Sequence, residues 1–212
     1  MIYLVTRHSL LNYSDVDEVV PLIYSSGPDA FSFVFTSNKT SAIEFLNYAF
    51  QQEGGEFSYD NHYALLVHGK IVGAGSVFDS KRAKGFAIRD GFNILKYYGI
   101  KSLPVLINGL NTEKVIKVPL GNEICIGHLG ITSDFRGKGL GSKLVEFLMK
   151  ESKAQPTDVF VLDVSEENPR AKALYDRMGF EVRKHEISTL KNSHGHVPNH
   201  FRMELEVNKQ PI

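Results

Sequence analysis

The run Arg136-Gly137-Lys138-Gly139-Leu140-Gly141-Ser142 has the residue types to hold an anion. It stands between an apolar stretch, Ile124 to Ile131, and a segment in which Leu140, Leu144, Val145, Leu148 and Met149 form one helical face. The first turn of a helix leaves its backbone N–H groups unpaired at the positive end of the dipole. Glycines there let the backbone approach a bulky anion, so successive amides can hold a diphosphate, and Arg136 and Lys138 add charge. The same glycines would also serve a tight strand-to-helix turn with no ligand. A P-loop fails on spacing, because Ser142 follows the last glycine with no intervening Lys. A dinucleotide fingerprint could begin at Gly137 and Gly139 and use Asp163 as its ribose acid, but Ser142 stands where the third glycine belongs. His194, His196 and His200 invite a metal reading. No Cys or acidic ligand joins them at a standard spacing, so no metal is expected, and a solvated or substrate-edge loop is the plainer reading. Cys125 as a nucleophile lacks an evident base, and a buried thiol is the ordinary case.

These residues need elements to position them. A strand is expected near Ile2 to Thr6. Ser14 with Asp17 has capping-box spacing and should open a helix through about Tyr24, kinked near Pro21, with Ser25 to Pro28 as a break. Ala42, Ile43, Leu46, Ala49 and Phe50 mark a second helix ended by Gly54 and Gly55. A hairpin follows, Tyr63 to Val67 and Ile71 to Phe78, turning at Gly69-Lys70. Residues 79 to 100 read as helical and 101 to 122 as irregular, with Pro104, Gly109, Pro119 and Gly121. Val159 to Val164 is a second buried strand. Asn168 is an N-cap with Pro169 at the first helical position, Ala171, Leu174, Tyr175 and Met178 form the apolar face, and Gly179 closes the helix. Strands near Phe180 to Ile187 and His200 to Val207 complete the pattern.

The chain has 212 residues, 42% hydrophobic and 23% charged, which suits one α/β domain with a proper core and excludes a disordered or fibrous chain. Lys plus Arg and Asp plus Glu are 24 each. That balance argues against a general nucleic-acid coat. The distribution is uneven. Residues 1 to 62 carry 2 basic and 8 acidic residues, 63 to 154 carry 14 and 7, and 155 to 212 carry 8 and 9, so the middle third is the natural place for an anionic ligand. One cysteine excludes an intrachain disulfide and fits a reducing compartment. No apolar run approaches the ~20 residues that span a bilayer. The chain therefore reads as cytoplasmic, with no membrane partner and no nucleic-acid partner. Oligomeric state stays open, a homodimer included.

Residues 123 to 182 resemble the GNAT superfamily of acyl-CoA-dependent N-acetyltransferases. The superfamily's diphosphate loop, Arg or Gln, two residues, Gly, one residue, Gly or Ala, is matched by Arg136, Gly139 and Gly141. Its second motif is matched by Asn168, Leu174, Tyr175, Gly179 and Phe180. The first 122 residues match only in layout. The resemblance implies a central, mixed and splayed sheet of about seven strands with helices on both faces. It divides the chain into an acceptor-side half (1–78), an insert (79–122), an acetyl-CoA-binding core (123–182) and C-terminal strands (183–212).

The resemblance also implies roles. Leu129, Gly130 and Ile131 would pair through their backbone with the pantetheine arm. The amides from Arg136 to Ser142, Gly137, Lys138, Gly139, Leu140 and Gly141 included, would hold the diphosphate. Asn168 would hydrogen-bond the pantetheine, in competition with its capping role. Tyr175, by its position a core aromatic, would be the general acid for the departing thiolate. Asp163 lies five residues before Asn168, where ribosomal-protein N-terminal acetyltransferases have a catalytic Glu, and is the candidate base. Glu123 shares strand parity with Cys125, Gly127, Leu129 and Ile131 and is a second candidate, whereas His128 has the opposite parity. Cys125 stands where histone-type members have their Glu. The implied reaction is direct acetyl transfer from acetyl-CoA to a primary amine of a small molecule or peptide, the acidic first third favouring a cationic acceptor. A non-catalytic acyl-CoA sensor and a nicotinamide-binding oxidoreductase are the alternatives.

Overall fold

A computed structural model describes residues 3–7, 11–37 and 39–207, with backbone alone for 3–7. Ile2 of the expected first strand lies outside the described residues. Seven strands form one sheet: β1 Tyr3–Arg7, β2 His62–Val67, β3 Lys70–Asp79, β4 Glu123–Ile131, β5 Val159–Ser165, β6 Glu181–Glu186 and β7 His200–Glu206, in the order β1-β2-β3-β4-β5-β7-β6. Only β4 and β5 run parallel; the other pairs are antiparallel, so the sheet is mixed as expected.

Five helices pack on one face: α1 Val16–Ser25, α2 Pro28–Phe35, α3 Ala42–Phe50, α4 Ser80–Tyr98 and α5 Ser102–Thr112. Phe45, Phe50, Ile23 and Leu46 are fully buried there, against Ala64 and Ala74 of the sheet. The opposite face carries α6 Leu140–Glu151 and α7 Pro169–Arg177, whose Leu140, Leu144, Leu148 and Tyr175 meet Phe160, Leu162 and Met203. At roughly 1.5–3 kcal/mol for each large apolar side chain buried, these two layers supply the main drive to fold.

The helix starts correct three readings. The capping box that opens the first helix is Asn12 with Asp15, not Ser14 with Asp17. Asn12 Oδ1 accepts the Ser14 amide at 2.8 Å and Asp15 Oδ2 accepts the Asn12 amide at 2.8 Å, forming a 3-10 turn that runs into α1. Pro28 is an initiator, not a breaker. It occupies the first position of α2, where a missing N–H is harmless. The stretch expected to be irregular contains α5, because Pro104 falls in the first turn and Asn108 Nδ2 donates to Phe33 O at 3.1 Å, fixing α5 on α2. Helices α3, α4, α6 and α7 fall where the periodicity puts them. Among the described residues no helix is long and apolar enough to cross a membrane.

Candidate active site

β4 and β5 pair at only three positions, Glu123 with Val159, Ile124 with Phe160 and Cys125 with Val161. Beyond Cys125 the strands part. β4 keeps β3 as its neighbour and β5 keeps β7, so the two facing edges are left unpaired inside a fork. An open strand edge is a ready acceptor for an extended amide-bearing ligand. Leu129, Gly130 and Ile131 lie on the β4 edge, and Gly130 has a packing reason of its own. A Cβ there would stand 2.3 Å from Leu22 O, so α1 presses its backbone directly onto β4.

The glycine turn lies above the fork. Gly137 and Gly139 have φ of 74° and 75°, a left-handed conformation that favours glycine, and nothing lies within 4 Å of a Cβ built on either. Gly139 is the N-cap of α6 and no side chain caps that helix, so the amides of Leu140, Gly141 and Ser142 have no partner in it. Arg136 Nε donates to Ile131 O at 2.9 Å, which folds its guanidinium back across the turn, and Lys138 Nζ stands 4.9 Å from the Phe135 ring. Gly141 also serves packing, since a Cβ would meet Leu174 of α7 at 2.9 Å.

Asn168 caps α7 by accepting the Ala171 amide on Oδ1 at 3.1 Å. That uses one end of the amide and leaves Nδ2 as a donor, so capping and ligand binding need not compete. A cavity of about 240 Å³ opens beside it, lined by Ser25, Gly27, Asp29, Glu167 and His200 among others. A larger one of about 390 Å³ lies at the start of β4, lined by Asp79, Arg82, Glu123 and Lys153, at the end of the strand remote from the glycine turn. Tyr175 is buried against Phe180, edge to face at 5.9 Å, and burial, with Cys125 nearby, pushes its hydroxyl above the ordinary phenol range, so it keeps its proton.

Asp163 and Glu123 are both engaged by Arg202. Arg202 Nη1 donates to Asp163 Oδ2 at 2.7 Å and Nη2 to Glu123 Oε2 at 2.8 Å. The Lys117 and Leu120 amides complete the set, at 3.1 Å to Asp163 and 2.9 Å to Glu123. The Asp163 side chain is only 3% exposed, and burial pushes its carboxyl up to about 6 against the pull of Arg202. Cys125 is buried and its thiol is pushed well above the ordinary range, chiefly by burial and then by Asp163, which makes it a packing residue.

The parity argument for β4 holds only to Gly127. Ser76 faces Gly127 but Ala74 faces Gly130, so β4 carries one extra residue, and His128 takes it up with φ of 52°. This bulge reverses the alternation. Cys125 packs with Phe78 and Val161 on the α1–α5 side, while Leu129 and Ile131 join the α6–α7 core. His128 is turned into the α1–α5 side, stacked on Phe57 at 5.2 Å and on His62 at 5.3 Å between ring centroids.

A chain of polar contacts results. His62 Nδ1 lies 2.8 Å from Ser58 O, His62 Nε2 lies 3.2 Å from His128 Nδ1, and His128 Nε2 lies 3.4 Å from Glu56 Oε1. A carbonyl can only accept, so His62 carries its proton on Nδ1. Burial and His128 lower the His62 pKa to about 3, so the ring is neutral and its Nε2 is a lone pair. His128 must then donate from Nδ1, and its Nε2 is the ring nitrogen turned toward Glu56. Glu56, Asp90 and Glu113 are the acids grouped beside it. Asp90 Oδ2 accepts the Glu56 amide at 2.8 Å and is pushed up to about 7 by burial and Glu56, and Glu113 is raised by burial and the same Glu56. Sequence reasoning missed Glu56, His62 and Arg202, which no local motif marks.

The three C-terminal histidines do not converge. His200 Nδ1 lies 2.8 Å from Pro198 O, and His196 Nε2 lies 3.2 Å from Glu167 Oε1 with Asp29 close to both.

Residues 29–180 match the Acetyltransferase (GNAT) family, and the chain belongs to that family. It is 35% identical over 60 residues to the 5-NmdU N-acetyltransferase of Pseudomonas phage PaMx11, a match covering 28% of this chain and 41% of that one, so the chain spans under half of that relative. Among solved structures, an N-acetyltransferase from Staphylococcus aureus Mu50 superposes with a TM-score of 0.68 at 15% identity, covering 95% of this chain and 100% of that one. The yncA protein of Salmonella typhimurium, a putative acetyltransferase solved with acetyl-CoA, superposes with a TM-score of 0.53 at 15% identity, covering 100% and 98%.

Proposed function

We propose that this chain transfers an acetyl group from acetyl-CoA directly to a primary amine on a cationic small molecule or peptide N-terminus. The observation that carries the reading is the fork itself, two unpaired strand edges leading to uncapped amides in a left-handed glycine turn. The donor fits these residues. A Cβ built on Gly137 or Gly139 meets open space, where a diphosphate has room, and the Leu129–Ile131 edge and Asn168 Nδ2 offer the amide contacts a pantetheine arm requires. Bound there, acetyl-CoA supplies an activated thioester.

The chain's own residues then handle the protons. His128 Nε2 takes one from the acceptor ammonium, His62 holds the ring in the tautomer that leaves Nε2 free, and Glu56 stabilises the imidazolium. Tyr175, kept protonated by burial, donates toward the leaving thiolate. Residues 1–78 supply the acceptor wall, with Glu56 its charge for an amine, and 123–182 supply the donor site. A single buried cysteine suits the reducing cytoplasm.

A second reading keeps Asp163 as the base. Its carboxyl, at about 6, is in range for neutral pH, and its Oδ1 is buried with no partner among the described residues. Glu123, held by Arg202 and Leu120, would support it.

The test is release of free thiol from acetyl-CoA over a panel of polyamines, amino acids and short peptides, with mass spectrometry of the product. Thiol appearing with an acetylated amine supports the proposal. Acetyl-CoA binding without transfer to any amine would mark a sensor, and preference for NAD an oxidoreductase.

A further inference from the structure

Helices α4 and α5 each turn a row of apolar side chains to solvent. Ile88, Phe92 and Leu95 follow i, i+4, i+7 spacing along α4, and Leu103, Ile107 and Leu110 follow it along α5, each about half exposed or more. Ile100, in the turn joining the helices, is 100% exposed. Scattered exposed leucines are ordinary, but two ridges at helical spacing meeting at an exposed turn are a surface that lacks its partner.

The flanking charges select the partner. At 100° per residue, Lys84 borders the α4 ridge on one side and Arg89 and Lys96 border it on the other, with Lys81 near its start. Lys101 sits in the turn. Residues 80 to 112 hold six cations (Lys81, Arg82, Lys84, Arg89, Lys96, Lys101) and one acid, Asp90, which is turned inward onto the Glu56 amide. Among the described residues Lys84, Arg89 and Lys96 form no ion pair, so this face is net positive as well as apolar. A second copy of the same face would bring like charges together, which argues against self-association through it.

We infer that the α4–α5 hairpin docks the enzyme on an anionic lipid bilayer, its apolar ridges entering the headgroup–acyl boundary and its lysines meeting lipid phosphates. An apolar face combined with a basic rim is the pair of signals that holds a surface helix on a membrane. The sequence argument against a membrane concerned spanning segments; a surface hairpin needs none.

The test is co-sedimentation of the full chain with phosphatidylcholine vesicles, with and without about 30 mol% phosphatidylserine. Binding is expected to the anionic vesicles alone and should be released at about 1 M salt, where the Debye length is ~3 Å. Exchanging Phe92→Ser with Leu103→Ser should weaken it at least about tenfold, and Lys84→Gln with Lys96→Gln by a similar factor. Acetyl transfer without vesicles should stay unchanged in both variants, which shows that they are folded. No sedimentation with either vesicle overturns the inference. So does a dimer, seen by light scattering, that the Phe92→Ser and Leu103→Ser variant dissociates.

Discussion

Two clusters of ionisable side chains lie on the same side of the sheet, yet they are built differently. In one, Arg202 joins Asp163 and Glu123, and each carboxylate has an Arg202 nitrogen within 2.8 Å. In the other, the chain from Ser58 through His62 to His128 ends on a nitrogen 3.4 Å from a partly exposed Glu56. The first cluster is tied to Arg202, which takes Asp163 Oδ2 and Glu123 Oε2 and so holds together β4, β5, β7 and the segment 117–120, leaving Asp163 Oδ1 buried without a partner among the described residues. The second is open at one end, and proton transfer needs that open end. Charge near a fork is therefore weak evidence for catalysis unless one atom is left free to change its proton.

Substitutions separate the two clusters. Arg202→Met should be the most damaging change to the fold. It strands two carboxylates in a buried site and should cost about 3–5 kcal/mol, read by denaturant unfolding. Asp90→Asn probes the wall behind Glu56. The folded carboxyl keeps its proton to about 7 where an ordinary Asp loses it near 3.8. The folded state thus binds more protons between those values, and stability should fall as pH rises from about 4 to 7. The Asn variant should lack that fall, gaining up to about 4 kcal/mol at pH 8 relative to wild type and far less at pH 4. Equal pH dependence in both proteins would show that Asp90 is ionised throughout. His128→Gln should lower kcat about 100-fold, and His62→Phe, which frees the His128 tautomer, somewhat less. Tyr175→Phe should lower kcat about 10- to 100-fold with acetyl-CoA affinity little changed, followed by thiol release and calorimetry.

The local backbone devices of residues 123–182 were legible in the sequence and the long-range side-chain clusters were not, for a physical reason. The glycine turn, the Asn168 cap and Gly179 are local backbone devices, each needing particular residues within a few positions, and the family resemblance rested on them. The histidine relay joins residues 56, 58, 62 and 128, which meet only through the sheet, and one extra residue in β4 reversed the parity that had set His128 aside. The same limit hid the Arg202 clamp, where Asp163 and Glu123 were identifiable as acids but their partner lies 39 and 79 residues away. Pro28 and Pro104 misled for the opposite reason: a strong local signal reads as a break or as a start depending on the residues before it.

We propose that the histidine cluster does the chemistry and the Arg202 cluster holds the fold. This is tested most directly by measuring kcat per folded molecule for His128→Gln and Asp163→Asn side by side, with acetyl-CoA affinity determined for each. A loss of about 100-fold is expected for His128→Gln with acetyl-CoA binding retained, and near wild-type turnover for whatever fraction of Asp163→Asn is folded. Full turnover in His128→Gln together with an inactive but folded Asp163→Asn would contradict it.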